Sequence, residues 1–278
     1  MVSLKELRRK AAERLAQCQN DSPAADTDFI LMSMGFSKTD ILLGEKTADH
    51  KTQEAFWNAV ERLECGEPVQ YIAGGCEFMS LWFGVNHSTL IPRSDTEILV
   101  EEVIKLCKDK QHINIFEIGS GSGCIAISLA YYLPQAKVIS ADISEDALAV
   151  AAQNSKRLGV SDRVTFIRHD ITKGFPKLSE IPDVVVSNPP YIPKGDIAKL
   201  DKKVKDFEPL SALDGGDDGL DFYRLISDAA EVKACGCIAF EVGIGQAQAV
   251  AGMLSARWKD VHIKKDLSGI ERVVTARK

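Results

Sequence analysis

The sequence predicts an α/β fold with a helical segment at its amino-terminal end. From residue 113 onward, short apolar runs alternate with stretches of helical spacing, which is the pattern of a mostly parallel sheet with helices between its strands. Before residue 70, apolar residues recur at helical spacing only, as Leu4, Leu7 and Leu15 do on one face of the first helix. The length of 278 residues fits two domains, or one large α/β unit with an appendage.

Residues 1–70 are predicted to form a helical bundle that serves packing or substrate docking. Ser22 and Pro23 stand in N-cap and N1 order at the start of a second helix, which Gly35 ends. A short third turn is expected over roughly 37–43 and a fourth helix near 49–65.

An aromatic-rich stretch follows the bundle. Residues 68–85 suggest a β-hairpin, so 71–91 is predicted to be a hairpin linker to a catalytic domain over 92–278. Ser94 and Glu97 have the spacing of a capping box at the start of a helix over 95–108.

The catalytic domain is expected to contain about seven strands. Each predicted strand is a short run rich in apolar residues, and each helix between strands has apolar residues at helical spacing. The predicted strands are 113–118, 137–141, 163–168, 183–187, 237–242, 259–265 and 270–276, and the predicted helices are 124–133, 145–158, 218–233 and 246–256.

Composition excludes several classes of protein. The net charge of −6 argues against a large nonspecific nucleic-acid surface. No apolar run approaches the roughly 20 residues that span a membrane, and the start of the chain lacks a signal-peptide apolar region, so a cytoplasmic location is expected. The seven cysteines are scattered without a CxxC pair, which makes a zinc site improbable and fits reduced thiols.

The sequence Asn188-Pro189-Pro190-Tyr191 stops the strand at 183–187 abruptly. Because proline cannot donate to a sheet ladder and keeps the preceding residue extended, Asn188 is expected in a fixed turn at the carboxyl end of the strand, where open α/β sheets bind ligands. The Asn188 side-chain oxygen and the Pro189 carbonyl can each accept one N–H of an amide or amino group, and Tyr191 offers a ring for stacking. A proline-terminated strand with a packed tyrosine is the simpler structural alternative.

A second group of residues predicts a nucleoside site. Gly119-Ser120-Gly121-Ser122-Gly123 forms a turn after the first strand of the sheet, where glycines let the backbone approach a ligand closely. Asp142 ends the next strand and can accept hydrogen bonds from ribose hydroxyls. Glu117 stands beside the glycines, where a carboxylate repels a pyrophosphate and suits a cationic ligand. This charge favours S-adenosylmethionine over NAD.

These motifs together resemble class I methyltransferases that act on amide or exocyclic nitrogen, and more narrowly the release factor glutamine methyltransferases of the HemK/PrmC type. The resemblance runs nearly end to end and includes residues 68–72, 90–97, 208–220 and 240–243. The proline tetrad alone is shared with DNA amino-methyltransferases. The family usually has Asp at position 117 and Pro at position 94, where this chain has Glu and Ser.

The resemblance implies a Rossmann-like class I methyltransferase domain with a seven-stranded, mostly parallel sheet and a site for S-adenosylmethionine. Gly119–Gly123 would wrap the methionine end of the donor, with Glu117 near its ammonium group. Asp142 would hold the ribose, and Asp170 with Ile171 would flank the adenine.

The resemblance also implies the substrate. Asn188 and the Pro189 carbonyl would hold the side-chain amide of a glutamine in peptide chain release factors 1 and 2, its GGQ glutamine, with Tyr191 packed against it. Methyl transfer to N5 would leave S-adenosylhomocysteine. A monomer without direct nucleic-acid binding is expected, and no general base is evident among the five histidines.

Three other functions stay open from the residues. A DNA adenine-N6 methyltransferase would use the same tetrad but predicts a basic groove and a target-recognition insertion, and neither is visible. An NAD-dependent enzyme is disfavoured by Glu117 and by the lack of a proton relay. A scaffold that only binds an adenosyl ligand would have no use for the tetrad.

Overall fold

The computed structural model describes residues 2–18, 20–229, 232 and 235–278. The chain divides into two compact units. The first unit runs to Gly75 and also includes Asp201–Phe207, while the second consists of Cys76–Leu200 and Glu208–Lys278. The boundary therefore differs from a simple cut along the sequence, because a short downstream segment belongs to the helical unit.

The first unit is built from helices around one apolar core. Three of its amino-terminal helices begin with a side-chain cap, at Ser3, Ser37 and Asp49, each of which accepts a backbone N–H of the first turn. Its elements are β1 (Val2–Ser3), α1 (Leu4–Gln17), α2 (Pro23–Ser33), α3 (Lys38–Leu43), β2 (Thr47–Ala48), α4 (His50–Glu64) and α5 (Val69–Ala73). The core contains Leu4, Leu7, Leu15, Ile30, Leu31, Ile41, Phe56 and Val60.

The segment Asp201–Phe207 carries a four-residue helix, Lys202–Lys205. Asp201 caps this helix by accepting the Lys203 N–H at 2.7 Å. The Lys203 ammonium lies 3.4 Å from Asp21 Oδ2. These contacts are within the first unit.

The predicted hairpin is shorter than expected. Val69–Ala73 forms the helix α5, which ends at the left-handed Gly74, so the first residues of the predicted hairpin are helical. The hairpin itself consists of β3 (Gly75–Phe78) and β4 (Leu81–Gly84). Met79 and Ser80 connect the strands with φ of 51° and 56°, the left-handed geometry that a tight hairpin turn requires.

The seven predicted strands of the sheet are all present. They are β5 (Ile113–Ile118), β6 (Ala136–Asp142), β7 (Val164–Arg168), β8 (Val184–Ser187), β9 (Cys237–Glu241), β10 (Lys259–Lys265) and β11 (Glu271–Arg277). Their order is β10-β11-β9-β8-β5-β6-β7, and β5 to β9 pair in parallel, whereas β11 runs antiparallel to both β9 and β10. The carboxyl ends of the parallel strands consequently share one edge, where a ligand site is expected.

Helices cover both faces of this sheet. One face packs on α6 (Ser94–Cys107) and α7 (Cys124–Tyr132) together with the hairpin phenylalanines, and α8 (Glu145–Arg157) follows β6. The other face packs on α9 (Asp221–Asp228) and α10 (Ala247–Ser255). The β-branched runs of the central strands are therefore buried on both sides, as their sequences predict.

Two predictions about helix ends were wrong. Ser94 is the first helical residue of α6 and not its cap, because the N-cap is Arg93 and no side chain caps this end. Glu97 instead accepts the Met79 N–H of the hairpin turn at 2.5 Å. The helix predicted over 218–233 is described only as Asp221–Asp228, and residues 230, 231 and 233 of that prediction lie outside the described residues.

The described part of the chain contains no helix with the length and apolar character needed to cross a bilayer. Residues 2–18, 20–229, 232 and 235–278 also contain no cluster of three or more His, Cys, Asp or Glu side chains arranged to hold a metal ion.

Candidate active site

A cavity of about 310 Å³ lies at the carboxyl edge of the second unit's sheet. Its volume is in the range of small-molecule sites. The ends of β5, β6, β7 and β8 all contribute to its wall, as the parallel topology predicts. The predicted site residues in the wall are Gly119, Ser120, Gly121, Ser122, Asp142, Asp170, Ile171, Asn188, Pro189 and Pro190.

The glycine turn has the left-handed geometry that its sequence predicts. Gly119, Gly121 and Gly123 have φ of 86°, 51° and 81°. A Cβ on Gly123 would lie 2.7 Å from Ile127 Cδ1 and 3.0 Å from Ala151 Cβ, so this position also needs its small size. Gly123 does not line the cavity, and its lack of a side chain lets the turn pack against Ile127 of α7 and Ala151 of the helix Glu145–Arg157.

Asp142 joins the second strand to the glycine turn. Its Oδ2 accepts the Gly121 N–H at 2.9 Å, and its Oδ1 accepts the Ser144 N–H at 2.9 Å. The carboxylate lines the cavity and is fixed by two backbone donors, which suits an acceptor for hydroxyl groups. Ile143 follows it with 52% of its surface exposed and also lines the cavity. The sequence analysis missed Ile143, although an apolar residue directly after a strand-end acid is a readable signal for stacking.

Glu117 is placed differently from the expectation. The side chain is fully buried and is absent from the cavity wall. It accepts a hydrogen bond from the Ser140 hydroxyl, whose oxygen lies 2.5 Å from the Ser120 hydroxyl. Burial and the nearby Asp142 charge raise the pKa of Glu117 to about 8. Its Oε1 has no hydrogen-bond partner among the described residues, so a buried acceptor remains beside the glycine turn.

The third strand contributes the next part of the wall. Asp170 caps the short 3₁₀ helix Ile171–Lys173 by accepting the Thr172 N–H at 3.0 Å. His169 also lines the cavity, and its Nε2 lies 2.7 Å from the Gly174 carbonyl oxygen. His169 thus has both a backbone contact and a position in the wall.

The fourth strand brings the tetrad to the same cavity. Ile118 of β5 and Ser187 of β8 are direct neighbours in the sheet, so Gly119 and Asn188 leave the sheet side by side. A Cβ on Gly119 would lie 3.7 Å from the Asn188 carbonyl oxygen. The Asn188 Nδ2 donates to Thr96 Oγ1 at 3.3 Å. Asn188, Pro189 and Pro190 line the cavity next to the glycine turn.

Tyr191 is the tetrad residue that lies outside the cavity wall. Its ring packs against the core between the sheet and α9 and α10, where burial raises its pKa to about 12. A Cβ on Gly215 or Gly219 would approach the Tyr191 backbone to 2.7 or 2.3 Å, and one on Gly243 would lie 2.9 Å from its ring. The absence of side chains at these three glycines therefore provides the space that Tyr191 occupies.

Several residues of the wall were not assigned a role from sequence. Arg93 donates a hydrogen bond to Glu208, whose side chain is 1% exposed, and both lie in segments that carry the family resemblance. Burial raises the pKa of Glu208, while the Arg93 charge lowers it. The other such wall residues include Leu90, Pro92, Thr96, Pro209, Ser211, Ala212, Asp214 and Phe222.

These residues fit an adenosyl donor by their chemistry. The wall combines fixed carboxylates for hydroxyl and amino donors with the apolar side chains of Ile118, Ile143 and Ile171 for a planar base. Glu117 adds a buried acceptor without a partner among the described residues.

Family comparisons agree on both units. The sequence model described as "Methyltransferase domain" matches residues 109–214, and the one described as "PrmC N-terminal domain" matches residues 6–74. The chain is 39% identical to the release factor glutamine methyltransferase of Geobacter sulfurreducens over 95% of this chain and 92% of that one. It is 37% identical to the enzyme of the same name from Moorella thermoacetica over 99% and 98% of the two chains.

Solved structures support the fold alone. The catalytic domain of hMettl16 in complex with the MAT2A 3'UTR hairpin 6 matches with a TM-score of 0.58 and 15% identity, over 85% of each chain. A methyltransferase from Pyrococcus furiosus matches with a TM-score of 0.51 and 16% identity, over 72% of this chain and 90% of that one. The class I methyltransferase fold predicted from sequence is therefore confirmed.

Proposed function

This chain belongs to the release factor glutamine methyltransferases, and we propose that it methylates the side-chain amide nitrogen N5 of a glutamine in peptide chain release factors with S-adenosylmethionine as donor. The GGQ glutamine of release factors 1 and 2 is the proposed acceptor. A substrate of the translation machinery also places the proposed reaction in the cytoplasm. The DNA adenine alternative is not favoured. The relatives named above are release factor glutamine methyltransferases, and this chain matches them over nearly their whole length.

The observation that carries the proposal is the shared cavity. Because β5 and β8 are neighbours, the glycine turn and Asn188 open into one space. A methyl donor held by the turn and an amide held by Asn188 would thus meet without a further conformational step. Proximity of this kind can contribute several kcal/mol, about 7–11 in well-oriented systems.

The donor-binding roles follow from the wall. The donor supplies an electrophilic methyl group on a positively charged sulfur. The backbone of Gly119–Gly123 would hold its methionine end, with the buried Glu117 carboxyl near the ammonium group and supporting the turn through Ser140. Asp142 would accept from the ribose hydroxyls, and Asp170 and Ile171 would flank the adenine.

Asn188 would prepare the nucleophile. An amide nitrogen is a poor nucleophile because its lone pair is delocalised into the carbonyl. The Asn188 Oδ1 and the Pro189 carbonyl would accept its two N–H groups, which draws electron density back to the nitrogen and fixes its direction. The nitrogen–methyl bond forms as the sulfur–methyl bond breaks, and the nitrogen then releases one proton to solvent. Tyr191 would support this arrangement from the core side.

The decisive experiment is transfer of labelled methyl from S-adenosylmethionine to purified release factors, with duplex DNA in parallel. The expected result is label on one release-factor glutamine and its loss in Asn188→Ala, while that variant still binds the donor. Label on DNA adenine would favour the alternative instead. Donor binding by the wild-type chain without transfer to a release factor would contradict the proposed substrate.

A further inference from the structure

Glu241 lies next to Asn188 of the tetrad, and the sequence motifs assign it no role. It is the last residue of β9, and Phe240 before it pairs with Ser187 of β8. Register therefore places Glu241 beside Asn188 at the same edge of the sheet. The Glu241 side chain does not line the cavity, while Asn188 and Thr96 do.

The Glu241 carboxyl is buried next to these two side chains, and its Oε2 has no hydrogen-bond partner among the described residues. Only 4% of the residue is exposed. Hydrogen bonds from the Thr96 and Asn188 side chains lower its pKa, but burial dominates and raises it to about 7. Thr96 is itself 3% exposed, and its hydroxyl oxygen accepts from Asn188 Nδ2 at 3.3 Å. Burial of an ionised carboxyl group costs free energy unless neighbouring groups bind it.

Two charged side chains of neighbouring elements act on the Glu241 carboxyl. Asp95 of α6 raises its pKa, and Arg272 of β11 lowers it. These two side chains pair with each other at 2.9 Å. Burial raises the pKa of Tyr191 and of Tyr223, and the Glu241 charge adds to both shifts. The Tyr223 hydroxyl donates to the Glu241 backbone carbonyl at 2.9 Å.

In its ionised form, the Glu241 carboxylate accepts hydrogen bonds but donates none. It therefore requires the Thr96 hydroxyl or the Asn188 NH₂ group to act as the donor toward it. The two ends of an asparagine amide are nearly equal in size, so packing alone does not decide which end faces the cavity. The acceptors Glu241 and Thr96 draw the NH₂ end toward the protein, which leaves the Oδ1 end for a substrate N–H. A reversed Asn188 would present N–H groups to the N–H groups of the substrate.

We propose that Glu241 is a positioning residue for methyl transfer, which together with Thr96 holds Asn188 with its amide oxygen toward the acceptor amide. This inference rests on the proposed function, since it gives Asn188 its task there. Glu241 touches neither the donor nor the acceptor in this arrangement. Its loss should consequently affect the rate of transfer and leave donor binding unchanged.

The test compares Glu241→Gln, Thr96→Val and Thr96→Ser in methyl transfer to a purified release factor. Glutamine is nearly isosteric with Glu241 but offers an NH₂ group, so Asn188 loses its orientation. We expect kcat to fall about tenfold to a hundredfold in Glu241→Gln and Thr96→Val, the range that misplacement of a reacting group causes. Thr96→Ser keeps the hydroxyl and should restore kcat to within about threefold of wild type. Donor affinity, measured by calorimetry, should stay within about twofold throughout.

Two further measurements separate positioning from a general loss of structure. Thr27 is a fully buried threonine of α2 whose hydroxyl donates to the Pro23 carbonyl at 2.7 Å, so Thr27→Val is the matched control and should keep kcat. The Glu241→Gln/Thr96→Val double variant should be little worse than either single variant, because both act on the same Asn188. Additive losses would overturn the inference, as would an unchanged kcat in Glu241→Gln.

The two proposals fail in distinguishable ways. If the wild-type chain transfers no methyl group to release factors, the proposed function is wrong and the inference falls with it. If the wild type transfers methyl and Thr96→Val matches it, only the positioning role is wrong. Should Glu241→Gln fail to fold, the contrast between Thr96→Ser and Thr96→Val decides the inference alone.

Discussion

The Ser140 hydroxyl donates a hydrogen bond to the Glu117 carboxyl, and both side chains are fully buried. The Ser120 hydroxyl lies 2.5 Å from Ser140 and belongs to the cavity wall. A fully buried acid is thereby connected to the glycine turn through two serines. Glu117 thus reaches the site through its neighbours, which a motif in the sequence does not reveal.

Loss of the central hydroxyl should weaken donor binding. In Ser140→Ala, Ser120 loses its partner and Glu117 its donor, so the dissociation constant for S-adenosylmethionine should rise about tenfold, which is the effect of one good hydrogen bond. Calorimetric titration measures this dissociation constant. Ser155 offers a matched control, since it is buried and its hydroxyl donates to the Ala152 carbonyl in α8. Equal affinities in Ser140→Ala and Ser155→Ala would contradict the prediction.

Burial of Glu117 should also make stability depend on pH. Its pKa is about 8 in the folded chain against 4.5 for the free side chain, so the folded state holds the proton more tightly. This contribution is complete below pH 4.5 and is lost as pH rises toward 8, by roughly 1.4 kcal/mol of unfolding free energy per pH unit at most. Denaturant unfolding of the donor-free chain between pH 5.5 and 8.5 tests this.

Glu117→Gln is the informative variant for that dependence. Glutamine has nearly the same shape and does not ionise, so the variant should lose less stability between pH 5.5 and 8.5 than the wild type. The pKa of the buried Glu241 is also raised, to about 7, so the variant should keep a smaller dependence of unfolding free energy on pH. Identical slopes for wild type and Glu117→Gln would show that Glu117 titrates normally.

The start of α6 gives a third prediction, in which the sequence pattern and the structure disagree. A capping box predicts that Ser94→Ala costs about 1 kcal/mol. The structure shows Ser94 inside the helix without a capping bond, so its loss should cost less than about 0.5 kcal/mol. Glu97→Ala removes the acceptor of the Met79 N–H and should cost about 1–2 kcal/mol. Glu101→Ala, an exposed neighbour on the same helix, is the control, and unfolding free energies decide the case.

The glycine turn provides a fourth prediction. Gly121 and Gly123 are both left-handed, and alanine there should cost roughly 1–2 kcal/mol in strain. Nothing lies within 4 Å of a Cβ at Gly121, whereas one at Gly123 meets Ile127 and Ala151. Gly123→Ala should therefore be destabilised by about 1–3 kcal/mol more than Gly121→Ala in chemical unfolding. Comparable losses at both positions would mean that the turn relaxes freely.

Much of the sheet could be predicted because its signals are local. Val184–Ser187 is β-branched and ends at two prolines, so its strand and its end are both readable. Ile113–Ile118 has the bounds that were predicted. Seven strands in a mostly parallel sheet follow from such runs alone.

The parts that could not be predicted depend on tertiary contacts. Glu97 matches a capping box in sequence, but its carboxylate accepts the Met79 N–H of the hairpin and caps no helix end. Tyr191 was expected to offer a face to substrate, but three downstream glycines make room for it in the core. No periodicity or spacing contains this information, because the partners are distant in the chain.

The membership of Asp201–Phe207 in the helical unit constrains how the protein is made. Biosynthesis delivers the five amino-terminal helices early, but their last structural neighbour emerges only after the greater part of the catalytic sheet has been translated. During synthesis, the helical unit therefore lacks this segment until β5 to β8 have been translated. A fragment that ends at Gly75 would lack the Lys203–Asp21 contact. Such a fragment would therefore omit part of the compact unit.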